Sequence, residues 1–190
     1  TLHNTCSQRL AFIVQLDPDG NVTWAEGHDD GYDQEYFGVA VDSEFNIYAV
    51  GYYKEIFHFG PYTILGSPGH FDIFFCKYNA EHEHQWIKKI SSEFYGRSDD
   101  VILDKDENPV ITAVHRGNLT VEGNEIINNG EMDFTLMKWD SDANLIWALH
   151  GGNEGEDRLF GIGNGPNDNI YFTGYFHSNE LEIGDHRIQN

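Results

Sequence analysis

An all-β fold built from repeated units is what this sequence predicts, on three observations. First, the chain repeats. Trp24, Trp86 and Trp147 stand 62 and 61 residues apart. The same offsets align Leu16, Tyr78 and Trp139, then Asn46, Asn108 and Asn169, then Gly51, Ala113 and Gly174. Second, the apolar runs are short, rich in β-branched and aromatic residues, and bounded by Asp, Asn and Gly. Third, no ten-residue stretch keeps the apolar stripe of a helix. Three units of about 61 residues therefore fill one repeat domain over 1–190, with approximate boundaries 11–71, 72–132 and 133–190.

Each unit opens on a strand: "AFIVQLD", "DIFFCKYN" and "DFTLMKWD". After a polar turn, "NVTW", "HQWIKKI" and "NLIWALH" run back. "FGVAVD", "DDVILD" and "LFGIGN" follow, then "NIYAVGYY", "PVITAVHR" and "NIYFTGYF". A shorter segment closes each unit: "FHFGPYTIL", "LTVEGNEII" and "LEIGDHRI". Four main strands, repeated, are the pattern of propeller blades. In such a blade "GVAVD" is innermost, "NIYAVGYY" next, "DIFFCKYN" third and "HQWIKKI" outermost. The aligned tryptophans are expected in equivalent, largely buried places between neighbouring sheets.

The stretches "DIFFCKYN", "GHDDGYDQEYFGVAVDSEFNIYAVGYY" and "GGNEGEDRLFGIGNGPNDNIYFTGYF" carry a resemblance. They resemble the β-propeller repeat of bacterial secreted and cell-surface proteins often called the SBBP repeat. The resemblance spans essentially the whole chain. It implies a propeller fold and an extracellular location, and it implies no catalytic residues. The second unit departs most, with "ISSEFYGRSDD" in place of a Gly-Gly loop and "NPVITAV" in place of "NIYVTG". Propellers usually need at least four blades to close. Three units therefore point to part of a larger propeller or array, or to several chains completing one ring. Strand 11–16 is expected to stay apart from strand 170–176.

Composition narrows the partners. Eleven Lys+Arg against 32 Asp+Glu give a formal charge of −21. That surface repels nucleic acid and anionic lipid. No stretch reaches membrane-spanning length, and "TLHNTCSQRL" has no signal-peptide pattern. Cys6 and Cys76 lack metal spacing; a bridge between them is left open.

Three polar patterns are candidate sites. "YNAEHEHQW" at 78–86 offers His82 and His84, but the sibling stretches "LDPDGNVTW" and "WDSDANLIW" are ordinary hairpin turns. A transition-metal site also needs three or four converging ligands, so the histidines read as turn residues. The pattern D-x-D-x-N recurs at Asp17, Asp19 and Asn21, at Asp104, Asp106 and Asn108, and at Asp140, Asp142 and Asn144. Such alternating oxygens suit Ca²⁺, against the alternative of a hydrogen-bonded turn. Asp42, Glu44 and Asn46 form a near variant. Finally, Asp29, Asp30, Asp33, Glu154, Glu156 and Asp157 lie in loops where propellers bind ligands, against the alternative of a solvated face.

The chain holds no GxSxG or P-loop. The reading is a non-enzymatic binding or structural module presenting acidic loops to a protein or glycan ligand, with no cofactor beyond a Ca²⁺. The alternatives are the scaffold of an extracellular carbohydrate-active enzyme, sought first around Arg97, His115 and Arg116, and a building block of a surface filament or ring.

Overall fold

The structure, a computed structural model, describes residues 9–190. It is all-β. Among the described residues the one helical segment is a 3-10 turn at Pro166–Asp168. The chain opens with an antiparallel pair, β1 (Phe12–Leu16) and β2 (Val22–Gly27). A first four-stranded sheet follows, in the order β3 (Gln34–Val41), β4 (Ile47–Lys54), β7 (Phe71–Tyr78) and β8 (His84–Ser92). Between β4 and β7 the hairpin β5 (Ile56–Phe59) and β6 (Tyr62–Leu65) is inserted.

The second sheet repeats this plan. Its first strand is split into β9 (Tyr95–Arg97) and β10 (Val101–Leu103), both on β11 (Pro109–Arg116). A second inserted hairpin, β12 (Leu119–Val121) and β13 (Asn124–Ile126), comes next. Then β14 (Asp133–Trp139) and β15 (Leu145–Gly151) complete the sheet. The chain ends with the pair β16 (Asp157–Asn164) and β17 (Ile170–Phe176) and the hairpin β18 (Glu180–Ile183) and β19 (His186–Gln189). Each complete sheet thus takes two strands from one sequence unit and two from the next. β1 and β17 belong to separate sheets.

Alternation along the strands explains how the sheets stack. In β4, Ile47, Ala49 and Tyr53 enter the core shared with the β1–β2 pair, and Tyr48 and Val50 enter the core shared with the second sheet. In β11, Ile111 and Ala113 face the first sheet, and Val110 and Val114 face the β16–β17 pair. Both faces of both complete sheets are therefore buried, which is why these strands read as near-continuous apolar runs. Trp24, Trp86 and Trp147 hold equivalent register, opposite Gln15, Lys77 and Lys138. They are half-buried rather than largely buried, because they lie on the last strand of their sheets, where solvent reaches the ring.

The inserted hairpins clasp neighbours. β12 pairs with the end of β8, and β18 with the end of β15, so each hairpin laps back onto the preceding sheet. The opposite margins converge. Gly38 on β3 lies so close to β10 that a Cβ there would stand 2.7 Å from Asp100 Cα. Asn164 Nδ2 donates to Leu103 O at 2.6 Å, and Ser43 N donates to Glu107 Oε1 at 2.8 Å. All three first strands shift register by one residue at the same place, with Phe37, Asp99 and Phe160 as the extra residue. Cys76 is buried and reduced, with its thiol 3.5 Å from Ala49 O; Cys6 lies outside the described residues.

Candidate functional site

The five-residue turns share one construction. Asp17 Oδ1 accepts from the amides of Asp19 at 3.0 Å and Asn21 at 2.8 Å, and Oδ2 accepts from Asn21 Nδ2 at 2.9 Å. Asp42 does the same with Glu44 and Asn46, Asp104 with Asp106 and Asn108, and Asp140 with Asp142 and Asn144. The fourth residue of each turn adopts positive φ: Gly20, Phe45, His82, Glu107 and Ala143. The turn's amide hydrogens thus point at the leading carboxylate. Hydrogen bonds from Asn21 hold the Asp17 carboxyl below its ordinary range, and those from Asn144 do so for Asp140.

"NAEHE" is the same turn with its chemistry reversed. Asn79 Oδ1 accepts from Glu81 N at 3.1 Å and Glu83 N at 2.8 Å, while Asn79 Nδ2 donates to Glu83 Oε2 at 2.9 Å. The carboxylate has moved from the first position to the fifth. His82 takes the positive-φ place, at +63°. Its ring stacks on Trp24 with centroids 4.3 Å apart, and its Nε2 lies 3.0 Å from Gln15 Oε1. His84 Nε2 sits 2.7 Å from Glu26 Oε1. Both histidines fasten the first sheet to the β1–β2 pair.

A cation wants oxygens that face one another; these turns bring N–H groups to the anchoring acid instead. Asp104, Asp106 and Asp168 do offer oxygens within 4.8 Å of one another. Two ammonium groups already serve that cluster. Lys138 pairs with Asp104, and Lys105 pairs with Asp106 and lies 3.7 Å from Asp168.

The six loop acids occupy two equivalent loops, and they divide by role. Asp30 accepts from Gln34 Nε2 at 2.7 Å and from His58 N at 2.8 Å. Asp157 is fully buried and accepts from Asn153 N at 2.8 Å, His177 N at 3.1 Å and Ser178 Oγ at 2.6 Å. These two anchor their loops. Asp33 accepts from Arg9 N at 3.1 Å. Glu156 pairs with Arg158 and accepts from the Tyr175 hydroxyl, which lowers its pKa. Asp29 and Glu154 are exposed.

Two buried acids escaped the reading from sequence. Asp72 and Asp133 open β7 and β14 and are fully buried. Asp72 accepts from Ser67 N at 2.6 Å and Ser92 N at 2.8 Å, and lies 3.2 Å from Lys89 Nζ. Asp133 accepts from Asn129 N at 2.6 Å, with His150 Nε2 at 3.4 Å in the place of Lys89. The signal was present as the aspartate that heads both "DIFFCKYN" and "DFTLMKWD". These acids bind the inserted hairpin to the sheet.

Around the second sheet's first strand, Arg97 forms a two-pronged pair with Asp99 at 2.6 and 3.0 Å, and its guanidinium lies 5.0 Å from the Phe37 ring centre. His115 is buried, 2.9 Å from Gly117 O and 3.1 Å from Thr135 Oγ1. Burial pushes its pKa down to about 4. Arg116 is exposed. Arg97 is committed to Asp99 and His115 to the core.

No protein-family model matches the chain. A curated protein of Acanthamoeba polyphaga mimivirus, named as an uncharacterized WD repeat-containing protein, is 24% identical over 158 residues. The chain resembles a WD repeat protein. The match covers 73% of this chain and 11% of that protein, so the chain spans about a tenth of its relative's length. WD repeats are four-stranded propeller blades, and the likeness together with the all-β sheets points to a β-propeller-like repeat fold.

Proposed function

We propose that the chain is a β-propeller module without catalytic chemistry, exported to the cell surface, that presents acidic loops to a protein or glycan ligand. The observation that carries the propeller reading is the convergence of β3, β10 and β16. Sheets packed face to face, with first strands that approach one another closely, fit blades set around an axis. On this reading the chain holds two whole blades and two half-blades. Asp30 and Asp157 hold the loops, and the acids proposed to face a ligand are the exposed Asp29 and Glu154, with Asp33 and Glu156 beside them keeping their contacts to Arg9, Arg158 and Tyr175. The export reading rests on the SBBP resemblance. A net charge of −21 favours a basic or neutral partner over an anionic one.

The test is binding to arrays of surface proteins and of glycans, with a variant carrying Asp29→Asn, Asp33→Asn, Glu154→Gln and Glu156→Gln. Loss of the captured ligand at unchanged melting temperature is expected. Retained binding defeats the acidic-loop reading, and turnover of any glycan defeats the non-enzymatic one. The five-residue turns are proposed to hold their shape without calcium. A chelator should then move the melting temperature by less than about 1 °C, whereas a bound structural ion would shift it strongly.

A further inference from the structure

The joint between the two complete sheets carries a chemistry that the rest of the surface lacks. In register, Lys54 on β4 stands opposite Phe71 on β7, Phe71 beside Tyr95 on β9, and Tyr95 opposite Arg116 on β11. Partners across strands bring their side chains together. Lys54 Nζ lies 5.6 Å from the centre of the Phe71 ring, and the Phe71 and Tyr95 rings meet edge to face with centroids 5.9 Å apart. Tyr52 extends the rings on one side, 5.0 Å from Phe71 and 5.8 Å from exposed Phe37. Lys54, Phe71 and Tyr95 are half-buried and Arg116 is exposed, so the four form a strip that solvent reaches. Two observations set the strip apart. Among the described residues every other Lys and Arg except Lys77 pairs with a carboxylate, whereas Lys54 and Arg116 have no such partner. In a chain with 32 acids against 11 bases, two free cations at one joint are an exception. The next joint, moreover, lacks the rings. There Met132 and Glu156 bridge in the places of Phe71 and Tyr95, and Glu156 is taken by Arg158 and Tyr175.

We propose that this strip binds an acidic oligosaccharide, with sugar rings lying on Phe71 and Tyr95 and uronate carboxylates meeting Lys54 and Arg116. The C–H face of a sugar ring is apolar and rests on an aromatic ring. A carboxylate gains charge-assisted hydrogen bonds from an ammonium and a guanidinium. What the strip lacks also selects the occupant. β4, β7, β9 and β11 already pair with neighbouring strands here, so a peptide finds no free sheet edge to extend. Nucleic acid carries a charge at every nucleotide and meets the repulsion of a chain at −21. A glycan with a carboxylate on alternate sugars meets less of that repulsion and finds two cations and two rings. The strip is thus a local exception to the acidic surface, and a sparsely charged ligand suits it.

The test is isothermal titration of the 190-residue chain with hyaluronan and chondroitin hexasaccharides, which carry a uronate on every second sugar. A Kd at or below about 1 mM in dilute buffer is expected for at least one of them. Raising the salt to about 0.3 M should weaken that binding at least about threefold. Lys54→Gln and Arg116→Gln should each weaken it at least about fivefold at unchanged melting temperature. Arg187→Gln, at an exposed arginine on β19, should leave it unchanged. The variant carrying Asp29→Asn, Asp33→Asn, Glu154→Gln and Glu156→Gln should bind the hexasaccharide at least as tightly, so the strip and the acidic-loop reading can fail separately. No binding of either hexasaccharide up to about 5 mM overturns the proposal. So does equal affinity for neutral maltohexaose, or a loss that Arg187→Gln shares with Lys54→Gln and Arg116→Gln. Tighter binding of a thymidine decanucleotide or of hexaglutamate would assign the strip to nucleic acid or to an acidic peptide, and overturns it as well.

Discussion

β4 and β17 are nearly the same strand. One reads "NIYAVGYYK" and the other "NIYFTGYFH", each with its leading Asn, and each pairs with a first strand that carries the same one-residue shift. Their surroundings differ. Every residue of β4 from Ile47 to Tyr53 is buried, whereas no residue of β17 is, all of them being half-buried or exposed. Tyr48 is fully enclosed and its equivalent, Tyr171, is 59% exposed. Local sequence specifies the strand and its pleat; the neighbouring sheet alone determines whether one face or two are enclosed.

The largest effect should come from breaking that pair of tyrosines. Tyr48→Ala removes a ring packed between the two complete sheets and should cost about 3–5 kcal/mol. Tyr171→Ala should cost under about 1 kcal/mol in the monomer. Equal losses in chemical denaturation would mean that the outer face of β17 is covered after all. Next, Asp72→Ala leaves Lys89 and the amides of Ser67 and Ser92 without their carboxylate and should cost about 2–4 kcal/mol. The loss should appear first as faster hydrogen exchange in the β5–β6 hairpin.

A third comparison is between His115 and its equivalent in the first sheet, Tyr53, both fully buried. The His115 pKa is depressed to about 4 by burial, so the unfolded chain takes up the proton first. Its contribution to stability is therefore complete above pH 6.5 and is lost as pH falls from there toward 4. Between pH 6.5 and 5 the loss should be about 2 kcal/mol. His115→Phe should flatten that stretch of the stability–pH curve; an unchanged slope would assign the sensitivity elsewhere, first to His28, whose pKa burial also lowers. The smallest effect is at the turns. Asp140→Ala removes three hydrogen bonds from an exposed turn and should cost about 1 kcal/mol.

The repeat, the strands and the turns were legible because they depend on neighbours within a few residues. The D-x-D-x-N turn illustrates this. Its acid, its positive-φ residue and its amides lie within five positions, so sequence alone identifies it, and even the reversed version at Asn79 is found by its place in the repeat. The loop acids were legible only as a composition. Nothing local distinguishes Asp157, enclosed in hydrogen bonds from residues 153, 177 and 178, from exposed Glu154 three positions earlier.

The sequence by itself determined the period, the all-β character, the strand boundaries to within a few residues and the turn chemistry, all of which are short-range. Only the tertiary structure decided that Asp72 and Asp133 point inward, that His115 is enclosed, and that Phe12 and Tyr171 are not. The reason is that successive repeats present almost the same strands to different neighbours. Burial depends on what packs against a face, and that partner lies about sixty residues away in the chain.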